Sequence, residues 1–248
     1  MNAGTEGVAL SLVIPCYNES DRISLLYKGL ESFAKEWKGT FDVVIVNDGS
    51  KDDTYTKLQE HSFYKANTDK ITLVNQQNTG KGGALKNGVL HASNAFVLTL
   101  DADMATSPNE IINWLKAENG VLDTNTIYIG SREHHQSTII SETFKRKLAG
   151  NVFNIIVRVL TPLKVKDSQC GFKLYGKAAA QKLFGALQTN GWAHDVEILT
   201  RAHYYGIRIK EMPITWQAIE GSKIQLIRDS IAMFKEILKV KSIIKNSK

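Results

Sequence analysis

Four short apolar runs, each stopped by a cluster of polar residues, constrain this chain more than any other feature. Residues 10–14 run into Pro15-Cys16-Tyr17-Asn18-Glu19, and 41–46 into Asn47-Asp48-Gly49-Ser50. Residues 71–74 precede Asn78-Thr79-Gly80-Lys81, and 95–100 stop at Asp101-Ala102-Asp103. Helical spacing fills the gaps at 22–37, 52–61 and 81–92, and a fifth β-rich run covers 127–129. Strand–helix alternation with short connections predicts an α/β fold whose mostly parallel sheet is flanked by helices on both faces. Ligands bind such sheets beyond the carboxyl ends of the strands, where all four polar clusters lie. Proline cannot donate to a ladder, so Pro15 is expected to end the first strand.

The 248 residues suit one large domain rather than two. Its parts read as a ligand-binding half (8–132), a second half forming the other wall of a cleft (133–222) and a basic amphipathic helix (223–248). In the second half, 141–160 reads as a long helix, 167–175 as extended, 195–205 as a helix and 214–216 as a strand. With 43% apolar residues the chain can bury a sizeable core, which excludes disordered, collagen-like and disulfide-stapled classes. Cys16 and Cys170 lack Cys or His neighbours at metal-ligand spacing and read as reduced structural thiols. A net charge of +6 is modest for a nucleic-acid binder, and no nucleic-acid-binding signature accompanies it.

Residues 1–10 do not read as a signal peptide. No window approaches the roughly 18–20 apolar residues of a spanning helix. A cytoplasmic protein is therefore expected, with peripheral contact at a membrane's inner face left open by the C-terminal helix. There Ile227, Ile231, Phe234 and Leu238 form a stripe among Arg228, Lys235, Lys239, Lys241, Lys245 and Lys248. Such a helix either lies on a membrane surface or docks on the core with its polar face in water.

Among the polar clusters, Asp101-Ala102-Asp103 carries the most chemistry. Two carboxylates one residue apart at a strand end can share a hard cation with phosphate ligands. Asp48 could accept a hydrogen bond from a base or ribose, or could simply form an Asx turn. The loop Asn78-Thr79-Gly80-Lys81-Gly82-Gly83 fits neither common phosphate-binding glycine pattern. Its Gly82 and Gly83 either cradle a phosphate or let a helix pack tightly, and Lys81 supplies positive charge. Arg132 and Lys223 are candidates to grip a diphosphate. Asp195 could complement a helix dipole or face the cleft as a base. No Ser/His/Asp or Cys/His nucleophile set is visible, and His134-His135 has no third ligand.

In this order, Ser11-Leu-Val-Ile-Pro-Cys-Tyr-Asn-Glu19, Val44-Ile-Val-Asn-Asp-Gly-Ser50, Asn78-Thr-Gly-Lys-Gly-Gly-Ala84 and Asp101-Ala-Asp103 resemble the family 2 glycosyltransferases. The motifs Asp167-Ser-Gln-Cys-Gly-Phe-Lys173, Gly191-Trp-Ala-His-Asp-Val-Glu-Ile-Leu199 and Trp216-Gln-Ala-Ile-Glu-Gly-Ser-Lys223 look like those of its dolichyl-phosphate β-glucosyltransferases. The resemblance spans roughly residues 10 to 238 and implies a GT-A fold whose first half binds a nucleotide sugar and whose second faces the acceptor. It implies that Pro15, Tyr17 and Glu19 flank the nucleotide and that Asp48 contacts the base. Asp101, Ala102 and Asp103 would form the donor and metal site, with Asp103 and Asp101 holding Mg²⁺ or Mn²⁺. Arg132 and Lys223 would face the phosphates, and Gln169 and Asp195 the sugar and acceptor.

The implied activity is metal-dependent, inverting transfer of a hexose, glucose from UDP-glucose being favoured, to a polyprenyl or dolichyl phosphate. The similar mannose synthases use GDP-mannose and carry Gln where this chain has Ala105, and Arg where it has Gln217. Both differences favour the glucosyl type. The eukaryotic glucosyl enzymes have an N-terminal membrane anchor, which is not read here. The alternatives are a mannosyl transferase, a hydroxyl acceptor with Asp195 as general base, and a non-catalytic sugar-nucleotide sensor. A nucleotidyltransferase would put a glycine-rich basic loop where Pro15-Cys16-Tyr17-Asn18 stands.

Overall fold

The structure, a computed structural model, describes residues 7–141, 144–219, 236–240 and 242. The first half runs β1 (Leu10–Cys16), a 3₁₀ turn (Ser20–Arg22), α1 (Ile23–Glu36), β2 (Phe41–Asp48), α2 (Thr54–Glu60), α3 (Ser62–Ala66), β3 (Ile71–Gln76), α4 (Lys81–His91), β4 (Phe96–Thr99), α5 (Glu110–Ala117) and β5 (Thr126–Gly130). The second half adds β6 (Thr138–Ile140), α6 (Phe144–Leu160), β7 (Lys173–Gly176), α7 (Lys177–Gly185), α8 (His194–Tyr204), β8 (Arg208–Met212) and β9 (Thr215–Gln217).

Seven strands form one sheet in the order β3-β2-β1-β4-β7-β5-β8, and β6 pairs with β9 in a second. Alternate residues of β1 serve two cores. Leu10, Leu12 and Ile14 face α1, whose Ile23, Leu26, Leu30 and Phe33 recur at helical spacing. Val13, with Val44 and Val46 of β2, faces α4 and the helices of the second half. Both sheet faces are therefore buried, as the continuous apolar runs require.

The large sheet is parallel except at β7, which runs antiparallel to both β4 and β5. The extended 167–175 segment thus delivers a strand from the second half into the middle of the first half's sheet. Pro15 does not end β1, which pairs with β2 as far as Cys16. Pro15 shares the parity of Val13, whose carbonyl accepts from Leu100 on the β4 side. Pairing with β4 stops at Val13, so the donor Pro15 lacks would face a place with no ladder.

The expected 52–61 helix is α2, which ends at extended His61, whose ring accepts from Phe63 N–H to open α3. Of the expected 141–160 helix, Phe144–Leu160 is described as α6, and Ser141 lies in a bend after β6. In the predicted C-terminal helix, residues 236–240 are helical, with Ile237 and Val240 fully buried while Leu238 is exposed. This stretch docks on the core, in a different phase from the stripe that included Leu238. Lys223, Ile227, Ile231, Phe234 and the basic residues around them, Lys239 excepted, lie outside the described residues.

Gly88 lets α4 lie close on the sheet: a Cβ there would overlap Val13 Cγ1 and come within 3.0 Å of Val46 Cγ2. Gly-to-Ala normally gains up to about 1 kcal/mol of helix propensity. Overpacking should outweigh it, so Gly88→Ala is expected to lower stability by about 1–3 kcal/mol in urea unfolding.

Candidate active site

The polar clusters meet at the carboxyl ends of β1, β2 and β4, bonded to one another. Asn18 N–H donates to Ser50 Oγ (2.9 Å), and Lys51 N–H donates to Asn18 Oδ1 (2.7 Å). Glu19 N–H donates to Thr54 Oγ1, and its carboxylate pairs with Arg22 at 2.9 Å. Pro15 is half-buried at the end of β1, and Tyr17 is 38% exposed on the rim.

Asp48 is buried, and its carboxylate fastens the glycine loop. Oδ1 accepts from Thr79 N–H (2.8 Å) and Gln76 Nε2 (2.7 Å), and Oδ2 accepts from Gly80 N–H (2.8 Å). Gly80 has a left-handed φ of +92°, and a Cβ on it would lie 2.6 Å from Asn190 O. A Cβ on Gly82 would lie 2.6 Å from Thr189 O. The glycines thus bring the start of α4 against segment 189–194, the packing alternative of the two considered for this loop.

Lys81, first residue of α4, lies with Nζ 2.7 Å from Asp101 Oδ1 and 5.9 Å from the Trp192 ring centroid. Gly171 accommodates Asp101 from the other side, since a Cβ there would come 2.7 Å from its Cγ. Asp103 Oδ1 accepts from Ala105 N–H at 3.0 Å. Burial tends to raise the Asp101 pKa, but Lys81 holds the carboxyl below its usual range. Burial and the Asp101 charge push Asp103 above its usual range. Burial tends to lower Lys81, yet Asp101, Asp195 and Asp103 hold it well above an ordinary lysine.

Asp195 lies in the first turn of α8, buried, with Oδ1 2.6 Å from Nζ of a fully buried lysine, Lys173 on β7. Burial would raise Asp195, but His194, Lys173 and Lys81 together hold it below the ordinary carboxylate range. His194 is buried too, its Nδ1 2.8 Å from Gly191 O and its Nε2 3.5 Å from Asp195 Oδ2. Burial lowers its pKa, and the Asp195 charge opposes that shift. Burial also pushes the Cys170 thiol up to about 12, an inert state for a thiol.

Arg132 sits beside the site, but its fork grips protein. Nε and Nη2 reach the two oxygens of buried Asp167 at 2.7 and 2.9 Å, and its backbone N–H adds a third bond. The guanidinium lies 5.6 Å from the Trp216 ring centroid. Its Nε–Nη2 edge is thus committed to Asp167. Gln169 follows directly, its N–H donating to Asp167 Oδ1. Ala102 is buried between the two acidic residues. Ala105 and Gln217 are brought together, Gln217 N–H donating to Ala105 O at 2.8 Å.

The model of the family described as "Glycosyl transferase family 2" matches residues 11–184. The chain belongs to glycosyl transferase family 2. Dolichyl-phosphate β-glucosyltransferase of Saccharomyces cerevisiae is 38% identical over 94% of this chain and 74% of that protein. The Homo sapiens protein of the same name is 34% identical over 92% of this chain and 74% of its own length. Among solved structures, glucosyl-3-phosphoglycerate synthase from Mycobacterium tuberculosis, in complex with Mn²⁺, UDP-glucose and phosphoglyceric acid, aligns with TM-score 0.68. It is 14% identical, over 95% of this chain and 80% of that one. The fold is GT-A, as the motifs implied.

Sequence reasoning assigned no role to Lys173, Asp167, His194, Trp192 or Glu236. Lys173 was detectable as the charge inside the apolar run Gly171-Phe-Lys-Leu-Tyr175. Nothing in the sequence marks Glu236, which reaches back to accept from Ala193 N–H.

The Arg132–Asp167 pair gives a pH prediction. Burial would raise the Asp167 pKa, but Arg132 holds it below the usual value. A depressed folded-state pKa contributes stability above the unfolded value near 3.9 and loses it as pH falls through the folded value. Asp167→Asn should therefore lower stability at pH 7 by about 2–4 kcal/mol and flatten the acid-side loss in urea titrations below about pH 4.

Proposed function

We propose that this chain transfers glucose from UDP-glucose to dolichyl phosphate or a related polyprenyl phosphate, inverting the anomeric carbon. The observation that carries the reading is the Asp101/Asp103 pair behind β4, held against Lys81 beside Asp195. The family and the 38% identity to a dolichyl-phosphate β-glucosyltransferase support it.

The donor would lie over the carboxyl ends of β1 and β4, with Tyr17 on its rim and Asp48 holding the loop that presents Lys81. Oxygen of the acceptor phosphate bonds to C1 as the bond from C1 to the diphosphate breaks, and the electron pair leaves with UDP. Lys81 stays protonated there and contributes positive charge. A phosphate acceptor is already anionic near pH 7 and needs no base. A hydroxyl acceptor would need one, and a carboxyl held as low as that of Asp195 is poorly matched to that work. Asp195 would instead orient the sugar, its own position fixed by Lys173.

Asp103 suits a divalent cation. It is a half-buried carboxylate pushed toward protonation by desolvation and then by the Asp101 charge, so it lacks positive charge. Among the described residues no three acidic, His or Cys side chains are placed to hold a metal ion by themselves. Asp103, with Asp101 beside it, would therefore share Mg²⁺ or Mn²⁺ with substrate phosphates, as such ions commonly are. When bound, the ion would supply Lewis-acid stabilisation of the leaving diphosphate. Among the described residues no helix is long and apolar enough to cross a membrane.

Two measurements test this reading. UDP-glucose with Mn²⁺ should stabilise the chain more than GDP-mannose in a thermal-shift titration, by about 2.7 kcal/mol at a hundredfold excess over Kd. Asp103→Ala should lower metal-dependent transfer to polyprenyl phosphate by about 100-fold or more, the scale of several kcal/mol of charge stabilisation. Equal shifts for both donors, or near wild-type turnover in Asp103→Ala, would overturn it.

A further inference from the structure

We infer that Glu236, in the C-terminal helical stretch, is a positioning residue for the segment carrying Trp192 and Asp195. Its Oε2 accepts from Ala193 N–H at 2.9 Å, immediately before α8. N–H groups at a helix start lack an intrahelical partner, and a carboxylate there also complements the helix dipole. Gly191 makes room for it. A Cβ on Gly191 would overlap Glu236 Oε1 and lie 2.8 Å from its Cδ. Ile237 and Val240, both fully buried, seat this stretch in the second core, so the carboxylate is carried on a fixed base.

The opposite side of the segment is fixed as well. Asn190 O accepts from Gly82 N–H at 2.8 Å, Trp192 lies beside Lys81, and Asp195 is bonded to Lys173. Without Glu236 the segment would keep its ties to α4, β7 and Glu197, but its turn at Gly191–Ala193 would lose its outer support. The C-terminal stretch is thereby part of the active site without touching substrate.

The test combines kinetics, which rest on the function proposed above, with a readout that does not. Of the four tryptophans, Trp37, Trp114 and Trp216 are buried and Trp192 is 38% exposed. Acrylamide quenching therefore reports mainly on Trp192, with Trp192→Phe as the blank. Glu236→Ala should increase quenching and lower kcat for glucosyl transfer on the order of tenfold, the scale of a lost helix-start hydrogen bond. KM for the donor should change less. Glu236→Gln keeps a carbonyl acceptor and should restore most of both.

Gly191→Ala should resemble Glu236→Ala in the wild-type background and cost little more once Glu236 is Ala, because its methyl then meets no carboxylate. Unchanged quenching and kcat in Glu236→Ala would overturn the inference. So would a Gln variant as impaired as Ala, or additive effects of the Gly191 and Glu236 substitutions. If the wild-type chain transfers no glucose, the function reading fails, and the quenching cycle alone still decides the role of Glu236.

Discussion

Three carboxylates crowd one end of the sheet, and two lysines make that crowding tolerable. Asp101, Asp103 and Asp195 all act on Lys81, and Lys173 is bonded to Asp195 from beneath. Unit charges about 4 Å apart interact by roughly 4 kcal/mol at an effective dielectric constant of 20. Without the lysines, burial and mutual repulsion would drive protons onto these groups. With them, Asp101 and Asp195 stay ionised below their ordinary range, and Asp103 alone is pushed up. The balance leaves Asp103 the least compensated of the three carboxylates.

The fold is arranged to deliver those two lysines. Lys173 arrives because β7 enters the sheet antiparallel between β4 and β5, which sets its side chain under α8. Lys81 arrives because Asp48 fastens the loop before α4 and because Gly80 and Gly82 let that helix start against residues 189–190. Gly171 admits the Asp101 carboxylate on the same principle. Backbone approach sets each charge, and a methyl group at any of these glycines would meet backbone or carboxylate. The fit is close because packed interiors leave few voids to absorb a shift.

The first half of this arrangement was legible in the sequence because local signals agree there. Apolar strand, polar stop and amphipathic helix repeat, and each stop lies at a strand end that the sheet brings together. The second half was less legible because its information is non-local. Thr99–Lys173 pairing and the β7 insertion depend on strands far apart in the chain. Pro15 misled because a missing donor matters only on the side where a ladder exists. Arg132 was read as a phosphate ligand because a fork suits phosphate and carboxylate alike, and only the structure sets Asp167 before it. Glu236 and Gly191 explain each other in space but carry no pattern along the chain.

The same electrostatics bear on what the site can accept. A general base needs a proton affinity matched to the medium, and His194, Lys173 and Lys81 together keep Asp195 from having it. A site built this way is better at holding charge still than at taking protons. Such a site suits a reaction whose nucleophile arrives already ionised and whose leaving group departs as an anion. The difficulty then lies in bringing two anionic substrates together. Lys81, locked to Asp101 yet beside the half-exposed Trp192 ring, and a cation on Asp103 are both suited to ease it. Transition-state charge is best stabilised by groups fixed beforehand, and every charged group named here is fixed by at least one bond to the protein. Positioning residues behind the site, Lys173 beneath Asp195 and Glu236 behind Ala193, are therefore where the chain's chemistry is set, although neither faces the substrate.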